Sequence, residues 1–225
     1  MGQGISEVLP FAIGIAISPI PIIAVILMLF TPKARSNGPA FLVGWVLALL
    51  AVGAIGIFIA DKASQSGSTD PSTLASLVFT VLGVLLVLLA LKTWRNRPQP
   101  GVDAPMPPWM ATIDGFTPGK AFGFAALLAG VNPKNLLLTL SAAATLGTTG
   151  LSVTDEAIGL LFFVIVGSLS VAVPVIYFLV GGEGAKRTMD GWKTWLGANN
   201  ATVMTVLLIV IGAKLLGQGL GGLLG

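Results

Sequence analysis

The chain has 225 residues, of which 55% are hydrophobic and only 9% are charged, and its net charge is +3. A soluble domain has about 25% charged residues, so this composition predicts an integral membrane protein. The chain contains no cysteine and no histidine, which excludes disulfides, thiol chemistry and histidine-based metal sites or proton relays. We therefore expect no enzyme activity, no metal and no cofactor. Basic residues in such a chain indicate topology, and no nucleic-acid partner is expected.

Six apolar segments are each long enough to cross about 30 Å of hydrocarbon as a helix. They lie at about 5–30, 39–60, 73–94, 121–146, 156–180 and 201–217. The first has no basic segment before it and no small-residue cleavage site, so it is expected to remain as a span. Polar turns are predicted at 31–38, 64–72, 147–154 and 181–199, and a frayed glycine-rich end at 217–225. The predicted fold class is all-α integral membrane, with six transmembrane helices.

The longest connection is rich in proline and divides the chain into two halves. We predict a single membrane domain, 1–225, made of a first three-helix repeat at 1–97, a linker at 98–117 and a second three-helix repeat at 118–225. Three helices precede the linker and three follow it. The two repeats must therefore have opposite orientations in the membrane, as in transporters built from inverted repeats.

Each predicted repeat begins with a helix that is interrupted by proline. Helix 1 is broken at Pro19 and Pro21, and helix 4 is broken at Asn132 and Pro133. Proline has no amide hydrogen, so each break frees backbone groups at a depth where lipid cannot satisfy them. Paired breaks in corresponding helices are typical of a transport site near the middle of the membrane.

A charged residue, Lys134, directly follows the second break. A charge near the bilayer centre costs about 2.5–3.5 kcal/mol on insertion scales, which favours a functional role over snorkelling to an interface. Its ammonium could bind freed carbonyls at either break, nearby asparagine side chains, or an anionic group of a substrate. We favour the substrate, because the half-helix that begins here also points its positive dipole end at this place. The candidate substrate-binding residues are Ser18, Pro19, Pro21, Asn132, Pro133, Lys134 and Asn135.

Lysine and arginine collect on one side of the predicted topology. The connections after helices 1, 3 and 5 contain Lys33, Arg35, Lys92, Arg95, Arg97, Lys120, Lys186, Arg187 and Lys193. The other side contains only Lys62 and Lys214. Positive residues favour the cytoplasm, so we predict a multi-pass protein of the inner membrane with both termini outside. An aromatic belt at the basic interface is predicted from Trp45, Trp94, Trp109, Trp192 and Trp195.

Several motifs carry a resemblance to a known family. They are Ile17-Ser18-Pro19-Ile20-Pro21, Thr31-Pro32-Lys33-Ala34-Arg35-Ser36-Asn37-Gly38 and Val131-Asn132-Pro133-Lys134-Asn135-Leu136. The chain resembles the GAP family, the sulfolipid- and glycopeptidolipid-addressing proteins of the lysine exporter superfamily, over nearly its whole length. The resemblance implies a six-helix transporter of two inverted repeats that delivers glycolipids to the cell envelope. Its motif positions are Pro19, Pro21, Asn132, Pro133 and Lys134.

These observations favour a secondary transporter or flippase that moves an anionic lipid or glycolipid outward across the cytoplasmic membrane. Its expected partners are membrane lipids and this substrate, with a homo-oligomer and lipid-synthesis enzymes as further possibilities. Two alternatives stay open. The chain could export small amphiphilic solutes such as amino acids, or it could be a membrane scaffold for lipid-synthesis enzymes that uses Lys33, Arg35 and the linker as its partner surface.

Overall fold

The computed structural model describes residues 2–65, 71–97, 108–181 and 183–224. Their regular structure consists of α1 (Gly2–Ala16), α2 (Pro19–Leu29), α3 (Ala34–Gln65), α4 (Pro71–Arg95), a 3₁₀ helix (Pro108–Gly115), α5 (Pro118–Gly130), α6 (Pro133–Thr148), α7 (Val153–Gly181) and α8 (Glu183–Leu224). These ranges contain no strand, so the prediction of an all-α fold is confirmed for them. Half of the predicted linker, 98–107, lies outside the described residues.

Four of the described helices, α3, α4, α7 and α8, are long and apolar enough to cross a membrane alone. The other long helices form two bent pairs. The axes of α1 and α2 differ by 51°, and those of α5 and α6 differ by 62°. Each pair passes the same test when it is taken as one broken span, which gives up to 6 spans. The chain is therefore a multi-pass membrane protein that bends at both predicted breaks.

Small residues allow the helices to approach one another closely. Gly44 of α3 touches the backbone of Phe122 in α5, and a side chain at this position would collide with that carbonyl group. Gly212 of α8 lies against Gly83 of α4 in the same way. Close contacts of this kind hold helices together in lipid, where burial of apolar surface gives no drive for association. Among the described residues, the most extensive contacts join α4 with α8, α3 with α5, and α1 with α7.

Some helix boundaries differ from the predicted turns. α3 begins inside the turn predicted at 31–38, and most of the turn predicted at 181–199 is helical, since α7 ends at Gly181 and α8 is continuous from Glu183. The predicted frayed end is also helical, up to Leu224. Ala185 and Met189 are buried, so packing against the other helices stabilises the polar beginning of α8. Hydropathy locates only the part of a helix that lies in hydrocarbon, which is why it missed these extensions.

The predicted aromatic belt is only partly correct. Trp94, Trp192 and Trp195 are exposed, as a belt at the membrane interface requires. The prediction is wrong for Trp45, which is completely buried between helices. A position near a helix end does not determine which face of the helix a side chain occupies. The side chain of Trp109 lies outside the described part of the structure.

Candidate functional site

The two helix breaks meet and enclose a cavity of about 190 Å³. The first break and the second break each contribute one wall, and α4 and α8 contribute the others. The lining residues are Ser18, Pro19, Ile20, Leu89, Thr93, Asn132, Pro133, Lys134, Met204 and Leu208. Segments that are far apart in the sequence, one in each half of the chain, are thus brought to a single place.

Five of the predicted site residues line this cavity, namely Ser18, Pro19, Asn132, Pro133 and Lys134. The other two lie behind its wall. Pro21 is buried within α2. Asn135 is fully buried, and its Nδ2 donates a hydrogen bond to the carbonyl of Leu128 at 2.8 Å. Both residues are thus placed to shape the breaks without lining the cavity.

The first break leaves a backbone carbonyl that needs a donor. Pro19 is the first residue of α2, a position where a missing amide hydrogen is tolerated. In an unbroken helix the amide of Ser18 would donate to the carbonyl of Gly14, but here it donates to Ile15 at 3.0 Å. The Gly14 carbonyl instead accepts a hydrogen bond from the ammonium of Lys134, with 3.1 Å between Nζ and O. A side chain from the second half therefore completes the first break.

The second break is completed by its own asparagines. The amide of Asn132 donates to the carbonyl of Leu127 at 3.1 Å, so the next carbonyl, that of Leu128, loses its helical partner. The side chain of Asn135 replaces this partner. The side-chain oxygen of Asn132 accepts a hydrogen bond from the backbone amide of Lys134 at 3.1 Å and so caps α6. The side chain of Lys134 is not needed for any of these bonds and is free to reach α1.

The cavity is electropositive for two separate reasons. The ammonium of Lys134 contacts the Gly14 carbonyl and, at 3.4 Å, the sulfur of Met204, and neither group carries a negative charge. The first residues of α2 and of α6 both line the cavity, so the positive dipole ends of two helices also meet there. An uncompensated cation beside two helix N-termini favours the binding of an anionic group.

Much of the remaining wall is apolar. Leu89, Met204 and Leu208 provide hydrocarbon surface. Ile20 is 36% exposed and Pro133 is exposed. The cavity therefore combines a site for a charge with apolar wall residues, two of which are exposed.

Sequence reasoning missed half of this wall, namely Ile20, Leu89, Thr93, Met204 and Leu208. Most of these residues lie in uninterrupted helices whose apolar pattern runs all round the helix. No sequence signal distinguishes the face that points to the cavity from the face that points to lipid. Their contribution became visible only when the packing of α4 and α8 against the breaks was known.

One comparison with known proteins gives a match. A family model described as Sap, sulfolipid-1-addressing protein, matches residues 8–221. The matched range includes both helix breaks and every residue of the cavity wall. Searches of curated proteins and of solved structures found no match to this chain.

Proposed function

This chain belongs to the sulfolipid-1-addressing protein family, and we propose that it is a secondary transporter or flippase that moves an anionic lipid or glycolipid outward across the cytoplasmic membrane. The observation that carries the proposal is the ammonium of Lys134, which lies where the two helix breaks meet and has no acidic partner among the described residues. In this proposal Lys134 binds the sulfate, phosphate or carboxylate of the head group. The transport needs no bond-breaking step, no metal and no cofactor.

Binding is proposed to begin from the side of the bilayer. The lipid approaches past Ile20 and Pro133, which are exposed, and its apolar part stays against Leu89 and Leu208. The anionic group then replaces the Gly14 carbonyl as the partner of the ammonium. This exchange is favourable because it replaces a neutral carbonyl with a full negative charge, to which the ammonium has a direct coulombic attraction.

The proposed architecture is two inverted three-helix repeats. Its support is the pattern of helix contacts: α3 packs on α5 as α7 packs on α1, and α4 packs on α8. If the two halves are exchanged, α3 takes the place of α7 and α5 takes the place of α1, so the α3–α5 contact becomes the α7–α1 contact. The α4–α8 contact is unchanged, because these two helices replace each other. The same exchange maps the bend between α1 and α2 onto the bend between α5 and α6.

The proposed orientation places the basic connections in the cytoplasm and both termini outside. A cysteine introduced at Thr149 should react with a membrane-impermeant thiol reagent in intact cells, whereas cysteines at Ser36 and Thr188 should react only after permeabilisation. The native chain contains no cysteine that would interfere. The opposite labelling pattern would reverse the direction of transport proposed here. Ser66, a further position on the predicted outer side, lies outside the described residues.

The function is tested with purified protein in vesicles that contain a fluorescent sulfated glycolipid. Lys134→Ala should reduce export of this lipid by about ten- to hundredfold, because interactions with charged groups contribute about 1.5–3 kcal/mol. Lys120→Ala is the matched control: it removes an exposed lysine from the beginning of α5 and should have no effect. Export is expressed per inserted protein, because Lys134→Ala removes a charge from an apolar surrounding but also leaves the Gly14 carbonyl without its donor.

The outcomes separate this proposal from its alternatives. Export by Lys134→Ala at the wild-type rate would exclude an anion site at Lys134. If the chain instead exports amino acids, it should move amino acids out of the same vesicles. Lys134→Ala should then still export cationic amino acids. A scaffold should show no lipid export in vesicles at all, and changes at Lys33 and Arg35, which are both exposed, should impair it in cells.

A further inference from the structure

A second lysine lies beyond the cavity on α8. The sulfur of Met204, in the cavity wall, contacts Lys134. Leu208 and Ile211 follow Met204 at four and seven positions along the same face of α8 and are both buried. Lys214 comes one turn after Ile211, and about 15 Å along the helix axis from Met204. On the predicted topology this direction leads from the cavity to the outer surface.

An apolar seal separates the cavity from Lys214. Gly14 is buried, and the side chains of Ile211 and Leu138 close over it, so that an added Cβ there would lie 3.0 Å from one and 3.1 Å from the other. The carbonyl of the same Gly14 holds the ammonium of Lys134 on the cavity side. The seal is thin, because it consists of two flexible side-chain ends over one glycine. A small separation of α1 from α8 would open it.

Beyond the seal, Lys214 is held by an acid of α1. Its Nζ lies 3.1 Å from Oε2 of Glu7, and it also lies 5.5 Å from the centre of the Phe11 ring. Glu7, Phe11 and Gly14 follow one another at four and three residues, so they are neighbours on the surface of α1. Both side chains of the ion pair are 32% exposed. Ion pairs with this exposure contribute little to stability, so another anion can replace Glu7.

We propose that Lys214 is a second binding site for the anionic head group, on the exit side of the seal formed by Ile211 and Leu138. This inference rests on the proposed function. When α1 and α8 separate, the head group leaves Lys134, passes Gly14 and replaces Glu7 as the partner of Lys214. The head group is then released to the outside, and Glu7 binds the vacated Lys214 again. Two lysines in succession give an anion a partner on each side of the apolar seal.

The test uses two measurements, export of a fluorescent sulfated glycolipid from vesicles and binding of the same lipid to the protein in detergent. Lys214→Gln should reduce export about ten- to hundredfold, by the loss of a charged hydrogen bond, and should leave binding at Lys134 unchanged. Lys134→Ala should lose both activities. Lys62→Gln is the matched control, because Lys62 is an exposed lysine of the same predicted side that lies over an aromatic ring, Phe58, away from this path.

A purely structural role of the ion pair is tested by neutralising both partners. Glu7→Gln combined with Lys214→Gln leaves no unpaired charge, so it should restore export if the defect of Lys214→Gln comes only from the unpaired carboxylate of Glu7. If the pair is needed to hold α1 against α8, Glu7→Gln alone should already lose export. We expect this double variant to remain as defective as Lys214→Gln, while Glu7→Gln alone exports at least as well as the wild type. Export by the double variant at the wild-type rate, or loss of export in Glu7→Gln, would overturn the second site. Wild-type export by Lys134→Ala would instead refute the proposed function itself.

Discussion

The two helix breaks are similar in sequence but differ in how their backbone groups are satisfied. The second break is self-contained: Asn132 caps α6, and Asn135 replaces a lost helical hydrogen bond. The first break lacks these side-chain hydrogen bonds within its own segment. Ser18 occupies the N-cap position of α2, but its side chain makes no capping hydrogen bond, and the Gly14 carbonyl depends on Lys134 from the other half of the chain.

On the proposed function, this difference connects substrate binding with the conformation of α1. A substrate anion that takes the ammonium of Lys134 leaves the Gly14 carbonyl without its donor. A buried carbonyl without a partner is unfavourable, by about 1–3 kcal/mol. Occupation of the site therefore favours a rearrangement of the end of α1, whereas the second break can stay as it is. In the proposed transporter, the second break therefore presents the charge, and the first break is the one that responds to its occupation.

Among variants of the two breaks, Asn135→Leu is expected to have the largest effect on stability. This change should lower the stability of the second break by about 1–3 kcal/mol, because the partly buried carbonyl of Leu128 would lose its donor at a helix break in the membrane. The control is Thr139→Val at a buried position one turn later, whose hydroxyl donates to the carbonyl of Asn135 at 2.8 Å. That carbonyl keeps its helical partner, so the control should shift the thermal unfolding midpoint much less. Equal shifts for the two variants would show that the Asn135 side chain does not complete the break.

A smaller difference is expected between the two N-cap residues. Asn132→Ala should destabilise the protein by about 0.5–2 kcal/mol, because the amide of Lys134 loses its acceptor. Ser18→Ala should change the unfolding midpoint much less, since the Ser18 side chain makes no cap bond. Thermal unfolding of both variants in the same detergent measures the contrast. Equal destabilisation would mean that the first break is capped after all and that the asymmetry is absent in solution.

Local features of the chain were sufficient to predict the class of protein, most of the helices and both breaks. Hydropathy and the shortage of charge identify membrane helices because a span must be apolar along its whole length. Proline removes a hydrogen bond from its own helix, so the bends at Pro19 and Pro133 could be located from their local motifs. Other prolines lie inside continuous helices, namely Pro10, Pro39 and Pro174. Lys134 stood out for the same reason, as a charge in an apolar segment.

Contacts between distant segments were decided only by the tertiary structure. The sequence did not indicate which freed carbonyl would bind Lys134, that Trp45 would be buried, or that Lys214 would pair with Glu7. These properties depend on the rotation of each helix about its axis and on its neighbours. In this chain both are determined by close contacts at small residues, such as Gly44 and Gly212. Such residues are common in membrane helices and make no distinction between neighbours until the helices are packed together.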